Sequence, residues 1–229
     1  MSLRRMLLPL ALLLTLPTLA FAGPLRPWIA GGLGASTYHM TDVNDDIGDV
    51  NSALSGSGLR MKQIDGGLGF GIAGGVDLGN GLAFGIGYDR FPANSDVGDW
   101  SGSIEYDFPG SFIRGFTRYS FQGSNKANAF VEGSVGRVST SGEVTVSVTG
   151  SGSVSGDVEG SGFGFEECAG FELWASPQFA FTGSAGFRQL AAKDVTLDGT
   201  NIRDNAGGEY TIDYGGMFMR LGLKVVLTP

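Results

Sequence analysis

Ile64-Asp65-Gly66-Gly67-Leu68-Gly69-Phe70-Gly71-Ile72-Ala73-Gly74-Gly75-Val76-Asp77-Leu78 is followed by Gly79-Asn80-Gly81 and then by Leu82-Ala83-Phe84-Gly85-Ile86-Gly87-Tyr88-Asp89-Arg90-Phe91. Ile64, Leu68, Phe70, Ile72, Val76 and Leu78 share one parity, while Gly67, Gly69, Gly71, Ala73 and Gly75 hold the other. After the Gly-Asn-Gly turn, Leu82, Phe84, Ile86 and Tyr88 alternate with Ala83, Gly85 and Gly87. A soluble sheet places polar side chains opposite its core, whereas here the opposite face is nearly bare. The pattern suits a hairpin that is apolar toward lipid and small toward a narrow lumen.

The N-terminus carries an address. Arg4 and Arg5 precede the apolar run from Met6 to Leu16, and Ala20-Phe21-Ala22 before Gly23 has the small-x-small form of a signal-peptidase site. The expected division is a cleaved signal peptide at 1–22, with Ala22 and Gly23 at the junction, and one domain at 23–229. Pro9 and Pro17 interrupt a run too short to anchor in a membrane, and no later segment is apolar enough for a membrane helix. Without Arg4 and Arg5 the chain holds 13 basic against 23 acidic residues, a net of about −10, which argues against nucleic-acid partners. The single cysteine, Cys168, excludes an internal disulfide. The 40 glycines suit a slender barrel with close backbone contacts.

Eight strands are expected: Arg26 to Tyr38, Ile64 to Leu78, Leu82 to Phe91, Trp100 to Phe121, Ala127 to Ser139, Phe163 to Ala175, Gln178 to Ala191 and Glu209 to Leu227. Their connections alternate in length, short at Gly79 to Gly81, Gln122 to Lys126 and Ser176-Pro177, long at His39 to Gln63, Thr140 to Gly162 and Ala192 to Gly208, and intermediate at Pro92 to Asp99. Short periplasmic turns and longer external loops describe an antiparallel up-and-down transmembrane barrel whose first and last strands meet, leaving no open edge. Trp28, Tyr119, Phe121, Trp174 and Phe179 should form the periplasmic aromatic girdle, and Tyr38, Tyr88, Phe91, Phe163, Phe187 and Tyr210 the external one.

Two long connections have structure of their own to offer. Val43, Ile47, Val50 and Leu54 recur at helical spacing behind Thr41 or Asp42 as N-cap, so a short helix over the barrel mouth and an acidic disordered loop both stand as readings. From Glu143 to Val148 valine alternates with Thr and Ser, and Val154 to Val158 weakly repeats this. That fits either a hairpin continuing above the membrane, open to strand addition, or a flexible Ser/Gly loop.

Segments such as Ala127-Asn128-Ala129-Phe130-Val131-Glu132-Gly133-Ser134-Val135-Gly136 and Met217-Phe218-Met219-Arg220-Leu221-Gly222-Leu223-Lys224-Val225 give the mature chain a resemblance to the small eight-stranded outer-membrane barrels of the OmpA/OmpX type, with OmpW-like relatives. One departure is the ending Leu227-Thr228-Pro229, where many such proteins close on an aromatic residue. The resemblance implies residence in a Gram-negative outer membrane, contact with lipopolysaccharide, delivery by the barrel-assembly machinery and a plugged, salt-bridged lumen. Strand parity independently turns Asp89, Arg114, Arg118, Glu132, Glu166, Glu172, Arg188, Arg220 and Lys224 inward. Arg118, Glu132, Glu172 and Lys224 form a lower layer, and the other five an upper one. Unpaired charges in so narrow a space are costly, so a ladder of ion pairs is expected. The glycines of 64–91 would then seat arginines from the facing wall. Glu167 breaks the parity of its strand, which a bulge or a position near the rim would resolve.

Three functions stand from this reading. The first is an anchored structural or surface-interaction protein, expected to be monomeric, with loops for an extracellular ligand. The second is a narrow channel or transporter for small or apolar solutes, in porin-like fashion. The third and most remote is a lipid A-modifying enzyme, whose only support is His39 with Ser36 and Asp42 nearby. The expectation is no enzyme, no cofactor and no metal. The clusters Asp42 to Asp49 and Asp194 to Asp204 lack calcium-loop spacing.

Overall fold

The computed structural model describes residues 25–124 and 126–227, so the expected signal peptide, its Ala22–Gly23 junction and the end at Thr228-Pro229 lie outside the described residues. Twelve strands and one helix follow in order: β1 (Arg26–Thr37), α1 (Thr41–Ala53), β2 (Gly66–Asp77), β3 (Leu82–Phe91), β4 (Asn94–Asp99), β5 (Gly102–Asp107), β6 (Gly110–Ser124), β7 (Ala127–Val148), β8 (Gly152–Ser176), β9 (Phe179–Leu197), β10 (Thr200–Asn201), β11 (Ile212–Asp213) and β12 (Gly216–Val226). Eight of them form a ring. β1 pairs β2, then come β3, β6, β7, β8, β9 and β12, and β12 returns to β1 from Trp28 opposite Val226 to Ser36 opposite Phe218. Every pairing is antiparallel, so the expected eight-stranded up-and-down barrel is the fold.

Two connections differ from the expectation, and the segment 143–158 takes the hairpin form of its two expected ones. The stretch Trp100 to Phe121 is not one strand: it breaks at Phe108-Pro109, because Pro109 has no N–H to give the ladder. Its first half, β5, instead pairs with β4 and with the upper part of β7. β7 and β8 run on as a continuous hairpin as far as the Val148–Gly152 pair, and β9 continues through the expected loop to Leu197. The helix is present but has neither Thr41 nor Asp42 as its cap. Met40 takes the N-cap position in a left-handed conformation (φ 38°) with no side-chain hydrogen bond. Such a short helix depends on packing. Val43 and Ile47 are fully buried, and Asn44 and Asn51 each exchange two side-chain hydrogen bonds with the backbones of Ile64 and Met61.

The outside of the ring is greasy. Leu33, Leu68, Ile86 and Leu221 are 70% exposed or more, in a continuous apolar band far larger than a soluble monomer presents. Tyr119, Phe121, Phe163 and Phe187 point outward as girdle residues should. Trp28, Tyr38, Phe91 and Tyr210, assigned to the girdles from their position along the strands, turn inward and are buried. Position along a strand sets height, but parity sets the face, and these four have lumen parity or sit in the loop that closes the mouth.

The bare inner faces of β1, β2 and β3 are seats for bulk from elsewhere. A Cβ at Gly87 would press on the Arg114 guanidinium, one at Gly34 on the Arg220 stem, one at Gly75 on the Trp28 ring, and one at Gly85 on the Phe116 ring and a carbonyl. Gly85→Leu is therefore expected to cost more than ~3 kcal/mol through overpacking. Gly115→Ala, on the open outer face, should be nearly neutral. Urea midpoints of the two variants refolded in detergent would check the contrast.

Candidate functional site

The ring brings the nine parity-assigned lumen residues into one column. Arg114 on β6 donates from Nε to Asp89 Oδ2 on β3 (2.8 Å) and from Nη1 to Glu132 Oε1 on β7 (2.7 Å). Arg118, four residues turn-ward along β6, donates from Nε and Nη2 to Glu132 Oε2 (2.8 and 2.7 Å) and from Nη1 to Glu172 Oε1 on β8 (3.0 Å). Lys224 on β12 also donates to Glu172 Oε1 (2.9 Å). Arg220 grips Glu166 with two parallel bonds of 2.7 Å and reaches Asp89 at 3.3 Å. The two expected layers are thus one network, joined by Arg114 and Glu132. Bidentate arginine contacts of this kind are charge-assisted and directional.

Arg188 stands apart from the ladder. It is 1% exposed and, among the described residues, faces no carboxylate within salt-bridge distance. Nε donates to the Tyr214 carbonyl (3.0 Å), the guanidinium lies 4.1 Å over the Phe91 ring with Tyr38 and Phe218 further off, and Nη2 has no hydrogen-bond partner among the described residues. Cation–π contact substitutes in part for an anion.

Apolar layers seal the column at both ends. At the turn end Trp28, Phe116 and Val226 form a floor, with Lys224 4.7 Å over the Trp28 ring. At the loop end Met40, Val43, Ile47, Met61, Ile212 and Tyr214 build a plug beneath the helix. Tyr214, a residue the strand pattern did not single out, is its centre: the hydroxyl donates to the Phe108 carbonyl (2.6 Å) and lies 2.9 Å from the Thr140 hydroxyl. Its only sequence signal is the alternation Ile212, Tyr214 leading into β12. A lumen gap of about 70 Å³ remains beside Ala30, Gly32, Ala73 and Arg220, enough for a few waters.

Three aspartates of α1 fasten the plug to the loop before β12. Asp42 accepts from the Thr211 N–H (2.7 Å), Asp46 from the Tyr210 hydroxyl (2.6 Å) and Asp49 from the Asn205 amide (3.2 Å). This is what the acidic cluster at Asp42 to Asp49 does here, and Asp198 and Asp204 likewise accept backbone N–H groups. Among the described residues no group of His, Cys, Asp and Glu is arranged to hold a metal. Exposed His39 lies 3.7 Å from Asp213, and among the described residues no ion pair joins it to Asp42 and no hydrogen bond to Ser36.

Above the plug stands a surface sheet made of β4, β5, the upper parts of β7, β8 and β9, and β10. Val97, Ile104, Val146 and Val154 oppose one another across four strands on one face. Ile104 and Val144 pack on the plug, whereas Val154 and the tip residue Trp100 are 77% and 86% exposed. On the other face Asp107, Glu143 and Asp157 stand directly opposite one another. Like charges so placed repel, and bonds from Ser155 and Thr145 hold the Glu143 carboxyl below its usual range.

No family model and no curated protein matches the chain. Solved structures similar to it include Neisserial surface protein A (13% identity, 88% of this chain and 95% of that one, TM-score 0.45). Others are the attachment invasion locus protein Ail of Yersinia pestis with the heparin analogue sucrose octasulfate (12%, 90% and 100%, 0.46) and the outer membrane protein OprG of Pseudomonas aeruginosa (11%, 89% and 96%, 0.46).

Two outcomes are expected from the lumen. Glu132→Ala removes the buried carboxylate that Arg114 and Arg118 share, leaving them Asp89 and Glu172 alone, and should cost ~3 kcal/mol, whereas Arg188→Met, which removes a cation lacking a carboxylate, should be neutral or stabilising. Thermal unfolding in detergent separates them. The plug should respond to pH through Asp46, whose carboxyl burial lifts above its ordinary 3.8 even though the Tyr210 hydrogen bond works the other way. Its contribution to docking is complete below the unfolded value and is lost as pH rises through the raised one. Amide exchange in α1 should speed up accordingly across that window, and Asp46→Asn should flatten the dependence.

Proposed function

We propose that this chain is an outer-membrane barrel acting as a closed anchor for a stiff surface sheet, and that its function is binding on the cell surface through that sheet. The carrying observation is the contrast between the two ends of the column. The lumen is packed with paired charge between an aromatic floor and an apolar plug, while β7 and β8 extend beyond it and present Val146, Val148 and Val154 with Trp100 at the tip. Residence in the membrane is supported by the closed ladder and by the apolar outer wall. An exposed apolar row beside an acidic face suits a partner with an amphipathic, cationic surface, since clustered exposed apolar side chains mark interaction sites. Lipopolysaccharide around the wall and delivery by the barrel-assembly machinery belong to the same reading, and no catalytic step is part of it. A narrow transporter is the second reading, and the lumen gap beside the small residues of β1 and β2 favours it.

Replacing Glu143 to Asp157 with an Asn-Gly turn should leave a folded barrel, because the ring pairs only below that segment. Binding of whole cells to basic protein surfaces should be lost. Planar-bilayer recordings test the closed anchor: wild-type protein is expected to give no steady solute-permeable conductance, and a stable open channel would favour transport instead.

A further inference from the structure

The outer wall is not uniform. On β12, β1, β2 and β3 its outward positions are apolar, bulky at Met219, Leu33, Ile72 and Ile86 and small at Gly31, Ala35 and Gly74, with no carboxylate among them. On β6, β7 and β8 the residues Thr117, Gly133 and Glu167 stand directly opposite one another, all exposed on the outside. In the neighbouring row, Gly115 is also bare, and a Cβ at Gly115 or Gly133 would meet no atom within 4 Å.

Glu167 is the anomaly in this patch. Glu166 and Glu167 are consecutive and face opposite sides of the wall. Glu166 points inward and is held by Arg220, whereas Glu167 takes no hydrogen bond or ion pair among the described residues. It is neither bulged nor at the rim: the register of β8 shifts only near Glu159/Ser161 and Trp174/Ser176, and Phe165 and Phe171 flank Glu167 on the same face. A carboxyl so placed in hydrocarbon, charged or neutral, lacks partners.

We propose that the outward face of β6, β7 and β8 around Glu167 is a contact for a second copy of this chain. Two copies related by a two-fold axis along the membrane normal meet at equal heights, and an isologous contact requires one patch to carry both halves of the fit. This patch does: Phe165 and Glu167 form a ridge with Val135 beside it, and Gly133 leaves a dent between Glu167 and the Thr117 hydroxyl. Each Glu167 enters the dent of the other copy and finds Thr117 there. Small residues that admit close backbone approach, with a few polar side chains between them, are the usual material of contacts within membranes. The contact goes beyond surface binding, rests on the membrane location proposed above, and replaces the monomer expected from the sequence.

Sedimentation equilibrium of the folded chain in density-matched detergent, with heat-dependent gel mobility as the folding control, tests it. Wild type should dimerise, and Glu167→Ala should weaken the dimer about tenfold, the scale of one or two hydrogen bonds in a membrane. Gly133→Leu, which fills the dent and whose Cβ meets no atom within 4 Å, should weaken it as well, and Leu33→Ala on the opposite arc should not. In vesicles, a short bismaleimide should join copies carrying Gly133→Cys but not Leu33→Cys, both in a Cys168→Ser background. A folded wild-type monomer, or a dimer indifferent to Glu167 and Gly133, overturns the contact. Failure of the chain to enter vesicles would instead overturn the location, and the contact with it.

Discussion

A strand in hydrocarbon must hydrogen-bond along both edges, and that demand determines the shape of this molecule. It forces β12 onto β1, which limits the ring to a narrow bore. A narrow bore cannot be left empty, so half of each strand's side chains must fill it. The glycines of β2 and β3 follow from this. They leave the volume that Trp28, Phe116 and Arg114 occupy, and side chains on both walls would not fit.

The filling is arranged by polarity along the axis. Aromatic rings close the turn end, ionic groups occupy the middle, and aliphatic and aromatic groups close the loop end. The middle layer holds because each carboxylate there meets at least one guanidinium or ammonium at hydrogen-bonding distance. Low dielectric strengthens those contacts and makes any missing partner expensive. Arg188 marks the boundary, carrying charge on one side and ring faces on the other. The surface sheet inherits stiffness from this filling, since Tyr106 and Val144 are packed against the plug.

Much of this was legible because a period of two is easy to read in strands. The Leu68-to-Tyr88 alternation identified the wall, and the same parity placed Arg114, Glu132 and Glu172 on the inner face, where they lie. Parity says nothing about which partner a side chain reaches across a ring. Parity alone therefore puts Arg188 in a ladder of ion pairs, although it sits above that ladder among aromatic rings. Trp28 shows the complementary lapse, since its height suited a girdle while its parity did not. The plug was least legible: Met61 comes from a connection with no regular period, Tyr214 shows only a short alternation with Ile212, and only the folded chain brings them under α1.

The charge pattern on β12 gives the last strand a second task. Apart from Arg188, the lumen holds four carboxylates, Asp89, Glu132, Glu166 and Glu172, and four cations, of which Arg220 and Lys224 arrive together on β12. Until that strand docks, Glu166 lacks its bidentate partner and Glu172 shares only Arg118. The step that closes the backbone ladder is thus also the step that brings these charges into balance. Opening the seam between β1 and β12 parts Arg220 from Asp89 on β3 along with the hydrogen bonds, while Glu166 and Glu172 stay with β12 through β9. An assembling chain has an electrostatic reason to finish, and a finished one has the same reason to stay shut.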